Sequence, residues 1–324
     1  MAVVAPRRPS PSSKPRSIAC MNVPSWLWAA FTVTAAASQT LRNAVQHDLV
    51  VRIGAGNATF VRFLFGFPFS LGFLALACAA LGALPPMPSG AALVDLVFAS
   101  AIQVFATGLM LLAMRENSFV VATALIKTEA VQIVVFGVLF LGVAATPALF
   151  LAVMLATLGV FALSFPTVAI FARRDARSNW RAAGYGLASA AAFGLSTVAF
   201  RAGILALDGA SFVIAAAEAL ALALGLQTFA ILSWLAFADR AGLAAIAREW
   251  RSSLSAGFLG AFATQFWFLA FALESAARVR TLGLAEVVFA QLITHRVFAQ
   301  KTSAREALGI LLILAGVTLA LHGG

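Results

Sequence analysis

Apolar residues gather along this chain into blocks of about twenty, parted by short segments that hold most of the charges and helix breakers. The ten-residue alternation of a membrane β-strand is absent from the sequence. A block of this length is what an α-helix needs to cross a hydrocarbon core of roughly 30 Å while satisfying its own backbone hydrogen bonds. Ten spans are predicted, at approximately 25 to 41, 59 to 82, 91 to 114, 118 to 141, 148 to 171, 182 to 203, 211 to 237, 253 to 273, 276 to 297 and 305 to 322. Between them lie Gly54-Ala55-Gly56-Asn57, Pro85-Pro86-Met87-Pro88, Thr146-Pro147, Arg173-Arg174-Asp175-Ala176-Arg177 and the stretch from Asp239 to Arg251. Connections this short make neighbouring helices antiparallel.

The pattern occurs twice. Residues 103 to 163 laid on residues 260 to 320, a shift of 157 without a gap, agree at 13 of 61 positions. Roughly half a dozen agreements are expected by chance in so Ala- and Leu-rich a chain. Phe105-Ala106-Thr107 meets Phe262-Ala263-Thr264, Ser118 meets Ser275, Glu129 meets Glu286, and Gly159-Val160 meets Gly316-Val317. The first two spans match the sixth and seventh more weakly, through Leu41-Arg42 with Phe200-Arg201 and Ala58-Thr59-Phe60-Val61 with Ala210-Ser211-Phe212-Val213. Each copy therefore holds five helices, over residues 23 to 172 and 180 to 324, and an odd number of crossings turns the second copy upside down. Inverted repeats of this kind recur in secondary transporters, with the substrate site near the bilayer midplane where the halves meet.

Composition strengthens the membrane reading. The chain is 62% hydrophobic and 10% charged, where soluble domains carry about a quarter of their residues charged. Residues 1 to 22 form a basic tail rich in Pro, Ser and Arg, predicted to be disordered. Basic residues followed by Trp26 to Ala35 and Ala35-Ala36-Ala37 also resemble a signal peptide, but removing that span would leave nine helices and break the pairing of halves. The net charge of +10 resides almost wholly in loops and tail, where anionic headgroups, not nucleic acid, are the ordinary partner.

Five-plus-five helices, the stretch Ala285-Glu286-Val287-Val288-Phe289-Ala290, a polar break at Gln300-Lys301-Thr302-Ser303, then Leu308-Gly309-Ile310 and Ala315-Gly316-Val317 resemble the EamA-type branch of the drug/metabolite transporter superfamily. The resemblance covers nearly the whole chain after the tail. In that family each half ends with a Glu-Pro-Val-Phe-like stretch, a Leu-Gly-Glu turn and a last helix with a Gly-Val pair. Glu286 stands at the family's Glu, and Gly159 and Gly316 stand at its glycines. The proline is replaced by Ala130 and Val287, and the turn reads Leu141-Gly142-Val143 in the first half and Phe298-Ala299-Gln300 in the second. The resemblance implies a ten-helix transporter fold and leaves the substrate group open.

Ionisable groups inside spans are the candidate chemistry, because a charge near the bilayer centre costs several kcal/mol unless it is paired or wet. Glu129 and Glu286 each fall near the middle of a span and are symmetry mates, which suits them to carry a proton or bind substrate; the alternative is that they bond helices together. Lys127 is about 200° around the helix from Glu129, so each needs a partner from another helix; Lys127 is read as holding an anionic group or Glu218. Gln132 shares the face of Glu129, and Gln265 is expected to shape selectivity. Arg62, one turn into its span, is expected to snorkel to the headgroups. Phe262, Phe266, Trp267 and Phe268 form an aromatic wall, and Gly159 and Gly316 are expected to permit close helix contact.

Other chemistry is poorly represented. Two cysteines, three scattered histidines and a single tyrosine offer no disulfide framework, metal spacing or acid-base constellation, and no phosphate-binding Gly loop is present. No enzyme activity and no cofactor are expected. Lys and Arg in the loops favour the orientation opposite to the family's usual one, so import and export stay equally open. The sequence thus points to a permease of a plasma or bacterial inner membrane, moving a small organic metabolite or drug-like compound by alternating access with protons as the coupling ion. A metabolite exchanger, or a scaffold or sensor that transports nothing, are the alternatives.

Overall fold

The structure, a computed structural model, describes residues 23–116, 125–141, 146–171, 176–207, 209–289 and 304–322 of the 324. The predicted disordered tail, Ser118, Gln291, His295 and the break at residues 300–303 lie outside the described residues. Every element among the described residues is helical: α1 (Leu27–Leu64), α2 (Gly66–Leu81), α3 (Gly90–Glu116), α4 (Glu129–Leu141), α5 (Pro147–Phe171), α6 (Ala176–Leu205), α7 (Phe212–Ala238), α8 (Arg240–Arg248), α9 (Trp250–Leu273), α10 (Ala276–Gly283) and α11 (Ala304–His322).

Six stretches are long and apolar enough to cross a bilayer, at Asp48–Leu81, Gly90–Glu116, Trp180–Leu205, Phe212–Ala238, Trp250–Leu273 and Ala304–Leu321. By length and composition the chain is a multi-pass membrane protein. Six is fewer than the ten spans predicted. The fourth, fifth and ninth are described over shorter apolar lengths, and the first falls in the N-terminal part of α1, which Gln39, Arg42, Asn43 and Gln46 make too polar. The connection from Asp239 to Arg251 contains a helix of its own, α8, opened by Asp239 Oδ1 accepting from Gly242 N at 2.9 Å.

The connection expected between the first two spans, at residues 42 to 58 with its breakers at 54 to 57, is helical except at one residue. Gly54, at φ 80° and ψ 158°, is the only non-helical position inside α1, in a region of backbone space that a side chain disfavours. The chain bends back there: Gln46 Nε2 donates to Ala58 O across the turn at 2.8 Å. Arg42 and Arg62, on opposite sides of the turn, both pack against Gly260 of α9.

Four pairings dominate the bundle: α3 with α6, α1 with α9, α5 with α11, and α2 with α7. Phe200, Phe271, Leu49, Leu96, Ile313 and Leu220 are fully buried on these helices, while Leu76, Phe229 and Phe237 stay exposed, as lipid-facing residues should. The α5–α11 contact is backbone on backbone. A Cβ at Gly159 would stand 2.6 Å from Gly309 O, and one at Gly316 would stand 2.5 Å from Ala152 O. Both glycines therefore serve close helix approach, as their sequence positions suggest.

Candidate functional site

Neither acid-bearing span is continuous. The helix is interrupted by a turn at Lys127 and Thr128, after which Glu129 opens α4. It is interrupted again at Leu284, the residue 157 positions later, with Glu286 in the turn that follows. Hydrogen bonds tighten to three-residue spacing at both places: Ala130 N donates to Lys127 O at 3.4 Å, and Val287 N donates to Leu284 O at 3.1 Å. Glu129 thus stands at a helix start, where sequence alone places it mid-helix. A broken helix frees backbone groups that only a protein-lined or wet site can satisfy.

Each acid meets a cation from the other half of the chain. Lys127 Nζ pairs with Glu286 Oε1, and Glu286 Oε2 accepts from Gln39 Nε2 of α1. Lys127 does not reach for Glu218, the alternative partner, which lies elsewhere in the bundle. Arg280 Nε of α10 lies 3.3 Å from Glu129 Oε1, close enough for an ion pair but not aligned for a hydrogen bond. Thr197 of α6 ties the two together, donating to Glu129 Oε1 at 3.2 Å and accepting from Arg280 Nη2 at 3.1 Å.

The local sequence explains why Arg280 points inward. Ser275 caps α10 by accepting from Arg278 N at 3.4 Å, and Glu274 holds Arg278 at 3.1 Å, fixing the entry of the helix. Arg280 then lies over the rings of Trp267 and Phe271, its guanidinium carbon 4.8 and 5.6 Å from their centroids. Trp267 Nε1 donates to Gln39 Oε1 at 3.2 Å and closes the network. A planar guanidinium over an aromatic face gains from both cation–π attraction and stacking.

Lys127, Glu129, Trp267, Arg280 and Glu286 line one cavity with an empty volume of about 280 Å³. Its four charged groups cancel: two carboxylates face two cations. Glu218, Gln132 and Gln265 do not line it. Glu218 is buried on α7 with Oε2 unpartnered. Gln132 donates to Thr128 Oγ1 at 3.3 Å, and Gln265 is buried on α9 with Oε1 unpartnered.

Arg62 does not snorkel. It turns into the bundle, donating from Nη2 to Thr107 Oγ1 at 3.1 Å and lining a second cavity. The aromatic wall divides as well: Trp267 lines the first cavity, Phe268 the second, and Phe262 packs edge-on and tilted among Phe73, Phe258 and Phe266. Gln39, Thr197 and Arg280 escape the sequence reading. The available signal is the spacing of Gln39, Arg42, Asn43 and Gln46, which puts four polar groups on one face of an otherwise apolar helix. Arg42, one residue past the first predicted span, and Arg280, about one turn into the ninth, both lie inside the bundle.

No family model matches the chain, and no curated protein does. Among solved structures 28 chains match. One of them, described as "Crystal structure of protein", superposes with a TM-score of 0.66 at 15% identity, over 91% of this chain and 96% of its own. At that identity the likeness shows a shared fold and nothing about activity.

Proposed function

We propose that this protein is a secondary transporter of a small organic metabolite or drug-like compound, built from two inverted five-helix halves of the EamA-like kind, and that protons drive it. It is a permease and not an enzyme, in a plasma or bacterial inner membrane. The observation that carries the reading is the reciprocal pairing of Lys127 with Glu286 and Arg280 with Glu129, one pair from each half to the other around a single cavity. Several others support it. Exchanging the two halves turns the α3–α6 pairing into α9–α1 and leaves α2–α7 and α5–α11 unchanged. The same exchange turns the Gly159–Gly309 contact into Gly316–Ala152. The helix interruptions at Lys127 and Leu284 also coincide under it.

Alternating access requires the halves to rock against one another about the site. Two ion pairs that bridge them resist that motion while both carboxylates are charged. Protonation of Glu129 or Glu286 removes the attraction to Arg280 or Lys127, and the released cation becomes available to a substrate. Proton uptake and opening are thereby linked through the same atoms. Reconstitution in liposomes with an imposed pH gradient tests this. Uptake should rise with the gradient and lose its pH dependence in Glu129→Gln and Glu286→Gln. Uptake indifferent to the gradient identifies a metabolite exchanger, and pH dependence that survives both substitutions removes the carboxylate mechanism.

A further inference from the structure

The second cavity carries a charge that no carboxylate among the described residues balances. It has an empty volume of about 350 Å³ and is lined by Arg62, Phe63, Gln103, Gln227, Thr264 and Phe268 among others, with Gly260 at its wall. Arg62 makes one hydrogen bond, to Thr107, and lies over the ring of Phe63 at 4.4 Å; its buried Nε has no partner. Arg42 does not line the cavity but approaches the same wall at Gly260. Its Cδ stands 3.5 Å, and the Cβ of Arg62 3.3 Å, from where a Cβ of Gly260 would be. Arg42 is only 9% exposed, and its bonds go to the neutral Asn43 Oδ1, from Nη2 at 2.8 Å and from Nε at 3.3 Å.

Among the described residues, neither guanidinium forms an ion pair with a carboxylate. Two buried like charges are costly unless a counter-charge joins them. The four charges of the first cavity balance each other, so they supply none. Guanidinium forks suit oxyanions because their donors match two oxygens at once. The amides of Gln103 and Gln227, already joined by a 2.6 Å bond from Gln227 Nε2 to Gln103 Oε1, add polar groups on the facing wall.

We infer that Arg42 and Arg62 form an oxyanion site, which takes the carboxylate or phosphate group of a compound whose body lies along Phe63 and Phe268. The inference deepens the transport reading, since it makes the cargo an anion, but the site stands as a binding site without it. The oxyanion belongs either to a solute or to an anionic lipid, and both use the same donors.

Thermal unfolding of the full chain in detergent, at constant ionic strength, tests the site with charged and uncharged partners of similar shape: succinate against succinamide, benzoate against benzamide. Inorganic phosphate and mixed micelles of phosphatidylglycerol or phosphatidylcholine complete the panel. At least one anion should raise the unfolding temperature where its uncharged counterpart does not. Arg62→Gln and Arg42→Gln should each weaken its apparent affinity by roughly tenfold or more, while Arg52→Gln, whose exposed side chain pairs with Glu249, should leave it unchanged. A response to phosphatidylglycerol alone makes the occupant a lipid. If no anion outperforms its neutral partner on the unaltered chain, the site is wrong; the same holds if both Arg→Gln variants fold and keep the response. Binding here needs no gradient. Anion binding with no uptake, whether or not a gradient is imposed, would overturn the transport reading alone, and pH-driven uptake of a neutral compound without anion binding would overturn this site alone.

Discussion

Lys127 and Glu286 come from opposite halves of the chain and meet as an ion pair inside the bundle. Removing one member of a buried pair strands the other charge, at a cost of about 3 to 5 kcal/mol. Lys127→Met and Glu286→Gln are each expected to approach that loss, and the double variant to lose less than the sum. Denaturant unfolding of the four proteins in detergent measures the coupling; strict additivity would show that the pair contributes nothing.

Gln39 links Glu286 to Trp267, accepting from the indole and donating to the carboxylate. Gln39→Leu leaves both groups without their partner, and an unsatisfied buried polar group costs about 1 to 3 kcal/mol. The unfolding temperature should fall, and Trp267 fluorescence should shift as its N–H loses its acceptor. An unchanged spectrum would place the indole elsewhere.

Arg280→Lys preserves the charge opposite Glu129 but not the flat face over Trp267 and Phe271. The lost stacking is worth about 1 kcal/mol. The variant should be less stable than the parent and more stable than Arg280→Met, a ranking that thermal melts in detergent can check.

Gly159→Ala and Gly316→Ala drive a methyl group onto the carbonyls of Gly309 and Ala152. Overpacking of this kind costs about 1 to 3 kcal/mol, and the two losses should be alike. Gly72→Ala, with open space at the same test position, is the control and should cost nothing in thermal unfolding.

Gly54→Ala places a side chain at φ 80°, a strain of about 1 kcal/mol or more. Gly56→Ala, at an ordinary helical position with nothing within 4 Å, should be neutral or slightly stabilising. Equal effects of the two would remove the turn at Gly54.

What the sequence tells about this molecule depends on the range of the interaction. Apolar length is local, so most spans could be placed by reading along the chain, and the close approach at Gly159 and Gly316 followed from small residues in an apolar run. The need of Lys127 and Glu129 for partners on other helices followed from the helical angle between them. Which partners answered was not legible: Arg280 and Thr197 come from spans far along the chain, and nothing around Arg280, near the start of its span, announces that it points inward. Neither interruption carries a Pro; the one at Lys127 has no Gly beside it either, and the one at Leu284 has only Gly283, the last residue of α10. Gln132 and Gln265 look the same in sequence whether they face a cavity or a neighbouring helix, and here neither faces either cavity.

The α5–α11 contact has a historical meaning if the two halves arose by duplication. Gly159 on Gly309 and Gly316 on Ala152 are one contact written twice, the arrangement that two copies of a single five-helix chain adopt as a dimer about a two-fold axis. An ancestral gene would have encoded both sides of it in one short segment, so that fusion of the copies required no new interface. The connection between α5 and α6 is then where the present chain should tolerate being cut, with residues 1 to 172 and 180 to 324 made as separate polypeptides that find each other in the membrane through the α5–α11 contact.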